Sequence, residues 1–253
     1  MQWIRHDVLS GRLMAGTFLN TGSSVNAEIA AQAGFDWVLV DLEHGALDQD
    51  RLIGVLQAVS GTPAAPLVRV AWNDPVRCKR SLDAGAVGLM IPWINTAEEA
   101  RQAARATRYP PAGIRGVAGS PRAAGYGQRF REYLAEANDH VLTIAQIETS
   151  EALKNADEIA AVEGIDVLFV GPTDLTVSMG IPLQYDHPQL ADALQRIVAA
   201  CGRHGKAAGI LASTQEQVAA YHAWGFTMIG LGSDGTTLAA AMRNLAGGFS
   251  KLR

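Results

Sequence analysis

The stretch FDWVLVDLEHGALDQDRLIGVLQAVSG, residues 35–61, contains one complete strand–turn–helix unit. Its first six residues are continuously apolar apart from Asp36, as a strand covered on both faces requires. A polar turn follows, and residues 47–61 then show the apolar spacing of a helix that stops at Gly61. The unit therefore predicts a parallel β-sheet with helices packed against it.

The same unit recurs along the chain. The short apolar runs are LMAGTF, FDWVLV, PLVRVA, AVGLMIP, VLTIAQI, IDVLFVG, KAAGIL and FTMIGLG. Helical stretches are predicted at residues 23–34, 47–61, 73–85, 96–107, 150–162, 187–205, 213–225 and 234–249. Eight evenly spaced strands alternating with eight helices favour an α/β fold, a (β/α)8 TIM barrel, over an open doubly wound sheet, whose strands look the same.

No linker or shift in composition divides residues 1–253, so we expect a single domain. One long irregular segment, residues 109–128, separates the fourth helical stretch from the fifth strand, and a connection of that length is usually functional or mobile.

Composition limits the classes of partner. Of 253 residues, 48% are hydrophobic and 18% are charged, with a formal net charge of −4. The chain has no general basic character, so we expect small-molecule substrates and neither nucleic acid nor membrane as a partner. Cys78 and Cys201 are far apart and read as reduced thiols, and no leader or bilayer-spanning segment is apparent. A cytoplasmic protein is expected.

Titratable and amide side chains lie at the ends of several predicted strands or directly after them. Because the active site of such a barrel is built at the carboxyl ends of its strands, these residues are the candidates for catalysis. They are Asp41, Glu43, His44, Arg69, Gln146, Glu148 and Asp174.

Arg69 lies inside an apolar strand, where an unpaired guanidinium would cost several kcal/mol. We expect it to face the barrel mouth and bind an anion, which is either a ligand or, in a purely structural role, Glu43 or Glu148.

Glu148 and Asp174 follow neighbouring strands and offer oxygen ligands of the kind that Mg²⁺ or Mn²⁺ prefers. Each also has a structural explanation, since Glu148 precedes a helix whose dipole favours an acid and Asp174 could be an N-cap. The two acids at one barrel mouth favour the metal site.

His44 has Asp41 three residues before it and Glu43 beside it, so that the acids could orient the imidazole for proton transfer. The alternative is an ordinary turn residue. The segment GLGSDG, residues 230–235, could hold a phosphate at a helix N-terminus or be a plain glycine turn.

Five segments in this order, DLEHG, VRVAWNDP, ATRYPPAGIRG, QIETSEA and VGPTDLTVSMG, resemble the HpcH/HpaI aldolase family over residues 16–232. The resemblance is strongest to its 4-hydroxy-2-oxoheptanedioate and 2-keto-3-deoxy-sugar-acid aldolases. It implies a barrel of the phosphoenolpyruvate/pyruvate superfamily whose last helix swaps with a neighbour in a homo-hexamer, a trimer of dimers. It also implies a class II aldolase that cleaves 4-hydroxy-2-oxo acids to pyruvate and an aldehyde with Mg²⁺, Mn²⁺ or Co²⁺.

The resemblance also implies roles for individual residues. Glu148 and Asp174 would bind the metal, Arg69 the pyruvate enolate, and His44 with Asp41 would be the acid/base. Further substrate contacts would come from Gln146, Thr173, Asp174 and Leu211, with Glu43 behind the site and Asp83 reaching a neighbouring subunit. Leu42 departs from the family, which often has a smaller residue there.

The chemistry of the reaction agrees with a metal. A carbanion beside a ketone needs an electron sink, either a Schiff-base lysine or a metal ion. None of Lys79, Lys154, Lys206 and Lys251 follows a strand at the predicted mouth, which favours the metal. Two alternatives are a superfamily lyase or mutase acting on a phosphonate, thioester or citrate-like acid, and a barrel that binds a keto acid without catalysis.

Overall fold

Eight parallel strands close into a barrel in sequence order in the computed structural model, which describes residues 2–250. The strands are β1 (Met14–Leu19), β2 (Trp37–Asp41), β3 (Ala65–Arg69), β4 (Gly88–Ile91), β5 (Leu142–Ile147), β6 (Val167–Val170), β7 (Ala207–Ala212) and β8 (Met228–Ser233). β1 pairs with both β2 and β8, which closes the ring. The predicted barrel is confirmed, and the open sheet is excluded.

The helices surround this barrel. They are α1 (Arg5–Leu9), α2 (Ser24–Gln32), α3 (Leu52–Val59), α4 (Pro75–Ala84), α5 (Ala97–Thr107), α6 (Phe130–His140), α7 (Ser150–Lys154), α8 (Ala156–Ala160), α9 (Pro172–Ser178), α10 (Pro188–Arg203), α11 (Gln215–Trp224) and α12 (Asp234–Ser250), with a 3₁₀ segment at Arg122–Gly127. The long irregular segment thus contains the 3₁₀ turn and leads into α6, a helix that the sequence pattern did not predict.

The helix starts follow local capping rules. Ser23 and Asp74 accept hydrogen bonds from the amides of Asn26 and Arg77, as N-caps do. Thr96 and Glu99 form the predicted reciprocal capping box at the start of α5. None of the helices within residues 2–250 combines the length and apolar character needed to span a bilayer.

Large side chains fill the barrel interior. Trp37 and Phe169 are buried and meet edge to face, with ring centroids 6.4 Å apart. Trp37 fits because its neighbour in β1 is Gly16, on which a Cβ would lie 1.9 Å from the indole Cδ2. At one end the barrel core includes Val8 of α1 and Ile4, which directly precedes this helix. The other end, where the strands finish, is left open.

Gly16→Ala is expected to destabilise the protein by about 1–3 kcal/mol or more, because the new methyl group overlaps the buried indole of Trp37 and forces it to move. Urea unfolding measures the change. Gly54→Ala is the matched control, since Gly54 is an exposed helical glycine with open space around it, and it is expected to stabilise by up to about 1 kcal/mol. Equal effects of the two substitutions would contradict this account of the core.

Helix α12 contacts β1, β8 and α2 but is exposed along most of its length. Residues 236–248 are all exposed, and they include Leu238, Met242 and Leu245 on one face. A groove of about 340 Å³ lies beside its first turns, lined by Ile29 and Phe35 among others and, from α12 itself, by Leu238 and Ala241. An apolar helix face and an apolar groove are therefore both left uncovered in the single chain.

Candidate active site

A cavity of about 500 Å³ lies at the open end of the barrel, where the strands finish. Its lining includes Phe18, Asn20, Asp41, His44, Arg69, Gln146, Phe169, Thr173, Asp174, Leu211, Ser213, Ser233 and Thr236. A larger cavity of about 680 Å³ opens beside the starts of β3 and β4, at the opposite end, and no strand-end acid lines it. The chemistry therefore belongs to the open end.

Arg69 is the last residue of β3, and the register of the sheet places it beside Asp41 at the end of β2. Its Nε donates to Asp41 Oδ1 at 2.9 Å and its Nη2 to Asp41 Oδ2 at 2.7 Å, a bidentate pair. Its Nη1 lies 3.0 Å from Glu43 Oε2, and its guanidinium lies 5.5 Å from the ring centroid of Phe18. The ion pair between Arg69 and Glu43, one of the structural roles considered for Arg69, is thus present. Asp41 is a second partner of Arg69 and is better aligned.

This network sets the charges of its members. Burial alone would raise the pKa of Asp41, but hydrogen bonds and attraction from Arg69 outweigh it and leave the pKa below its ordinary value. Burial raises the pKa of Glu43 despite attraction from Arg69, and Asp41 and Asp174 repel its charge further. Glu43 Oε2 is buried and makes no well-aligned hydrogen bond. The charge of Arg69 is therefore neutralised mainly by Asp41. The negative charge of Glu43 is only partly compensated.

Glu148 follows β5 and is 3% exposed. The amide of Trp93 donates to its Oε1 at 2.8 Å and Gln146 Nε2 to its Oε2 at 2.7 Å. Gly171, at the end of β6, makes room for it, because a Cβ there would lie 3.1 Å from Oε2. Burial raises the pKa of Glu148 to about 7; the Trp93 amide opposes this, and repulsion from Glu43 and Asp174 adds to it.

Asp174 lies in the first turn of α9 and is exposed, as is Thr173 before it. Its carboxylate is near enough to repel the charges of both Glu148 and Glu43. It caps no helix, since α9 begins at Pro172 with Gly171 as its N-cap and without a side-chain cap. The amides of this first turn have no acceptor within the helix and are available to an anion.

These acids fit a hard divalent cation. The carboxylates of Glu148 and Asp174 are close enough to repel each other, and positive charge between them would relieve this repulsion. Gln146 Oε1 is also buried without a hydrogen-bond partner. Within residues 2–250 no three His, Cys, Asp or Glu side chains form a complete metal site. The fit is therefore to an ion such as Mg²⁺ or Mn²⁺ that takes its other ligands from water and substrate.

His44 is placed differently from the orientation expected from sequence. Its side chain is 70% exposed, and its Nε2 lies 3.8 Å from Glu43 Oε1. Asp41 accepts from the backbone amides of Glu43 and His44 and from Arg69, and none of its hydrogen bonds involves the imidazole. The prediction that Asp41 orients the ring directly is therefore not met in the single chain; Asp41 shapes the turn that presents His44 to the cavity.

Asp83 lies away from the cavity. It is near the end of α4, at the opposite end of the barrel, and its Oδ1 accepts from Arg115 Nη2 at 2.8 Å. Gln146, Thr173 and Leu211 line the cavity, and their contact with a substrate stays a prediction. Of the lysines, Lys206 comes directly before β7 and donates to the carbonyls of Val162 and Ile165, which precede β6, and Lys251 lies outside the described residues.

Several residues at the site were missed from sequence. Phe18 and Phe169 are apolar strand residues, and only the closed barrel shows that their rings form the cavity floor. Ser233 ends β8 within the glycine-rich segment 230–235, and Thr236 follows that segment in α12; their hydroxyls lie 3.0 Å apart. The segment did carry a signal in the sequence, since it was a candidate for holding a phosphate. Trp93 carried no signal in the sequence, because its role depends on its backbone conformation.

Protonation of Glu148 should couple metal binding to pH. A carboxyl whose folded pKa lies above its unfolded value destabilises the folded protein as pH rises from about 4.5 to about 7. A divalent ion bound by Glu148 would displace that proton, so the thermal stabilisation by Mn²⁺ is expected to grow over this window and then level off. Thermal unfolding with and without Mn²⁺ across the pH range measures it; an equal gain at every pH would contradict the assignment.

Comparison with known proteins agrees with this geometry. The family model described as HpcH/HpaI aldolase/citrate lyase matches residues 14–241. A 4-hydroxy-2-oxo-heptane-1,7-dioate aldolase of Escherichia coli is 42% identical over 240 residues, which cover 95% of this chain and 92% of the relative.

Two solved structures have the same fold. A HpcH/HpaI aldolase/citrate lyase family protein from Burkholderia cenocepacia superposes with a TM-score of 0.92 and 37% identity, covering 98% of both chains. A HpcH/HpaI aldolase from Desulfitobacterium hafniense gives 0.90 and 30%, covering 100% of this chain and 97% of that one. With its barrel, its strand-end acids and these matches along nearly its whole length, the chain belongs to the HpcH/HpaI aldolase family of carbon–carbon lyases.

Proposed function

We propose that this enzyme is a divalent-metal-dependent aldolase that reversibly cleaves 4-hydroxy-2-oxo acids to pyruvate and an aldehyde. The observation that supports it most is the buried Glu148 carboxylate, repelled by Asp174 and Glu43, at the open end of the barrel. The name of the Escherichia coli relative, an aldolase of a 4-hydroxy-2-oxo diacid, supports the substrate class.

Glu148 and Asp174 would hold the ion, with Mg²⁺, Mn²⁺ and Co²⁺ as candidates. When bound, a divalent ion supplies the Lewis acidity that makes a carbanion beside the keto group accessible. The first-turn amides at Thr173 and Asp174 would bind the substrate carboxylate. Gln146 and Leu211 would contact the remainder of the keto acid, and the rings of Phe18 and Phe169 exclude water below it.

Arg69 stabilises the developing enolate oxygen of pyruvate. Two of its donors are used by Asp41, and this bidentate pair fixes the plane of the guanidinium. A fixed cation needs no reorientation when charge develops on the substrate, which is the condition for effective electrostatic stabilisation.

His44 moves the proton. In cleavage its imidazole takes the proton from the C4 hydroxyl, the C3–C4 bond breaks, the aldehyde leaves, and a proton added at C3 completes the methyl group of pyruvate. Glu43, 3.8 Å from Nε2, is placed to stabilise the protonated ring. Condensation follows the same steps in reverse.

The test is pyruvate release from a panel of 4-hydroxy-2-oxo acids, including 2-keto-3-deoxy sugar acids and 4-hydroxy-2-oxo-heptanedioate, coupled to lactate dehydrogenase. Protein stripped with EDTA should be inactive, and Mg²⁺, Mn²⁺ or Co²⁺ should restore turnover. Full activity of the EDTA-stripped protein would refute the proposal that the reaction depends on a metal ion. Absence of turnover with every acid and ion, while pyruvate still binds, would show a non-catalytic barrel.

We also propose that the chain assembles through α12 into a homo-oligomer, a hexamer built as a trimer of dimers. The uncovered apolar face of α12 and the groove beside β1 and α2 are complementary in character, and a partner's α12 would cover the groove. Leu238→Glu with Leu245→Glu is expected to reduce the mass measured by light scattering after size exclusion. Glu216→Lys, on the exposed side of α11, is the control and should leave the mass unchanged.

A further inference from the structure

The turn between β4 and α5 contains a residue in an unfavourable backbone conformation. Trp93 has φ 55°, in the left-handed region that bulky side chains rarely adopt. Trp93 as a whole residue is 43% exposed, so burial does not explain the conformation. Such strain persists only where the surrounding structure fixes it, and it concentrates at functional sites.

This conformation sets the direction of the backbone amide of Trp93. The Trp93 N–H donates to Glu148 Oε1 at 2.8 Å, while Gln146 Nε2 holds the other oxygen at 2.7 Å. Both oxygens of the Glu148 carboxylate thus accept hydrogen bonds, one from the turn after β4 and one from the end of β5. Without the left-handed turn, the Trp93 amide would point elsewhere and Glu148 Oε1 would lose its hydrogen bond.

Asn95 locks this turn. Its Nδ2 donates to the Trp93 carbonyl at 3.3 Å, and its Oδ1 accepts from the Thr149 hydroxyl. Its carbonyl accepts from Asn155 Nδ2 at 2.8 Å, and its amide donates to Glu99 Oε2 at 2.7 Å. The turn is therefore tied to α5 and to the segment after Glu148, which makes its conformation overdetermined.

We propose that Trp93 is a positioning residue, whose strained backbone, locked by Asn95, orients Glu148 for binding of a divalent cation. The inference rests on the proposed function, in which Glu148 is a metal ligand. Groups that orient a ligating carboxylate contribute to metal affinity through that ligand, and their loss typically costs 10- to 100-fold.

Two substitutions that both remove the indole separate backbone from side chain. Asparagine tolerates the left-handed region, whereas the β-branched valine does not. For Trp93→Val, the dissociation constant of Mn²⁺ measured by calorimetry is expected to rise about 10-fold or more. For Trp93→Asn it should stay within about threefold of the wild type.

Equal Mn²⁺ affinity of the valine variant and the wild type would overturn the inference, as would equal losses in the two variants. If Trp93→Val does not fold, Asn95→Ala provides the same test and should weaken Mn²⁺ binding by about 10-fold. Trp72→Val, at the other exposed tryptophan of the neighbouring loop, is the control and should bind normally. Glu148→Gln separates the two claims: normal Mn²⁺ binding there would refute the metal site itself, whatever the Trp93 variants do.

Discussion

Glu148→Gln is expected to lower kcat/KM for pyruvate release by about a thousandfold or more while leaving the protein folded. Glutamine keeps the shape of the side chain but removes the anionic ligand, so the ion is no longer held where the enolate charge develops. A thousandfold loss corresponds to about 4 kcal/mol of transition-state stabilisation. The loss in kcat/KM is measured by steady-state kinetics, in which the rate is followed over a range of substrate concentrations at saturating metal.

The same substitution should stabilise the metal-free protein. At pH values above about 7 the buried Glu148 carries its full desolvation and repulsion cost, which its raised pKa places at about 3 kcal/mol. Glutamine carries no charge and keeps the Trp93 amide as a donor to its oxygen. Loss of activity together with gain of stability is typical of a functional acid and not of a structural one.

Glu151→Gln is the matched control, because Glu151 lies three residues later on the exposed side of α7. Both its activity and its stability should remain close to the wild type. A Glu148→Gln enzyme with activity comparable to this control would show that the ion, if one is used, is bound elsewhere.

Much of the fold was predictable because its signals are local. A continuously apolar run followed by a capped helix is decided within about thirty residues, and repeating it eight times leaves few arrangements besides a barrel. The predictions went wrong where tertiary contacts override the pattern. Residues 150–162 were predicted as one helix but divide into α7 and α8 at Asn155, whose side chain bonds to the Asn95 carbonyl. Helix α6 buries only Tyr133 and Ala137, too few for a clear apolar period.

The site was predictable in its residue types and less so in its geometry. Position at the end of a strand or directly after it was enough to select Asp41, Arg69 and Glu148 as candidates. Which acid pairs with Arg69 depends on the register between β2 and β3, which no local pattern specifies, and the structure chooses Asp41. The left-handed turn at Trp93 depends on a network that spans three loops and helices. Side-chain chemistry can be read locally, but hydrogen-bond partners across a barrel cannot.

Arg69→Met is expected to remove both activity and much of the stability. It leaves the Asp41 and Glu43 side chains, which are 3% and 10% exposed, without their cation. Breaking a buried ion pair from one side typically costs about 3–5 kcal/mol, because the remaining charge is desolvated and unpaired. Urea unfolding at neutral pH measures the loss, and pyruvate release should fall to background. Arg101→Met, which breaks an exposed pair with Glu98, is the control and should change stability by at most about 0.5 kcal/mol.

The pH dependence separates lost charge pairing from simple loss of packing. In the wild type, Asp41 has a pKa below its ordinary 3.8, so its contribution to stability is present above that value and is lost as pH falls through the folded pKa. In the variant, burial without Arg69 raises the pKa of Asp41, so protonation relieves the penalty. The stability difference between wild type and Arg69→Met should therefore be largest near neutral pH and shrink as the pH falls towards about 4. A difference that stayed constant with pH would mean that Arg69 acts through packing against Phe18 and its neighbours, and the electrostatic role assigned to it would be wrong.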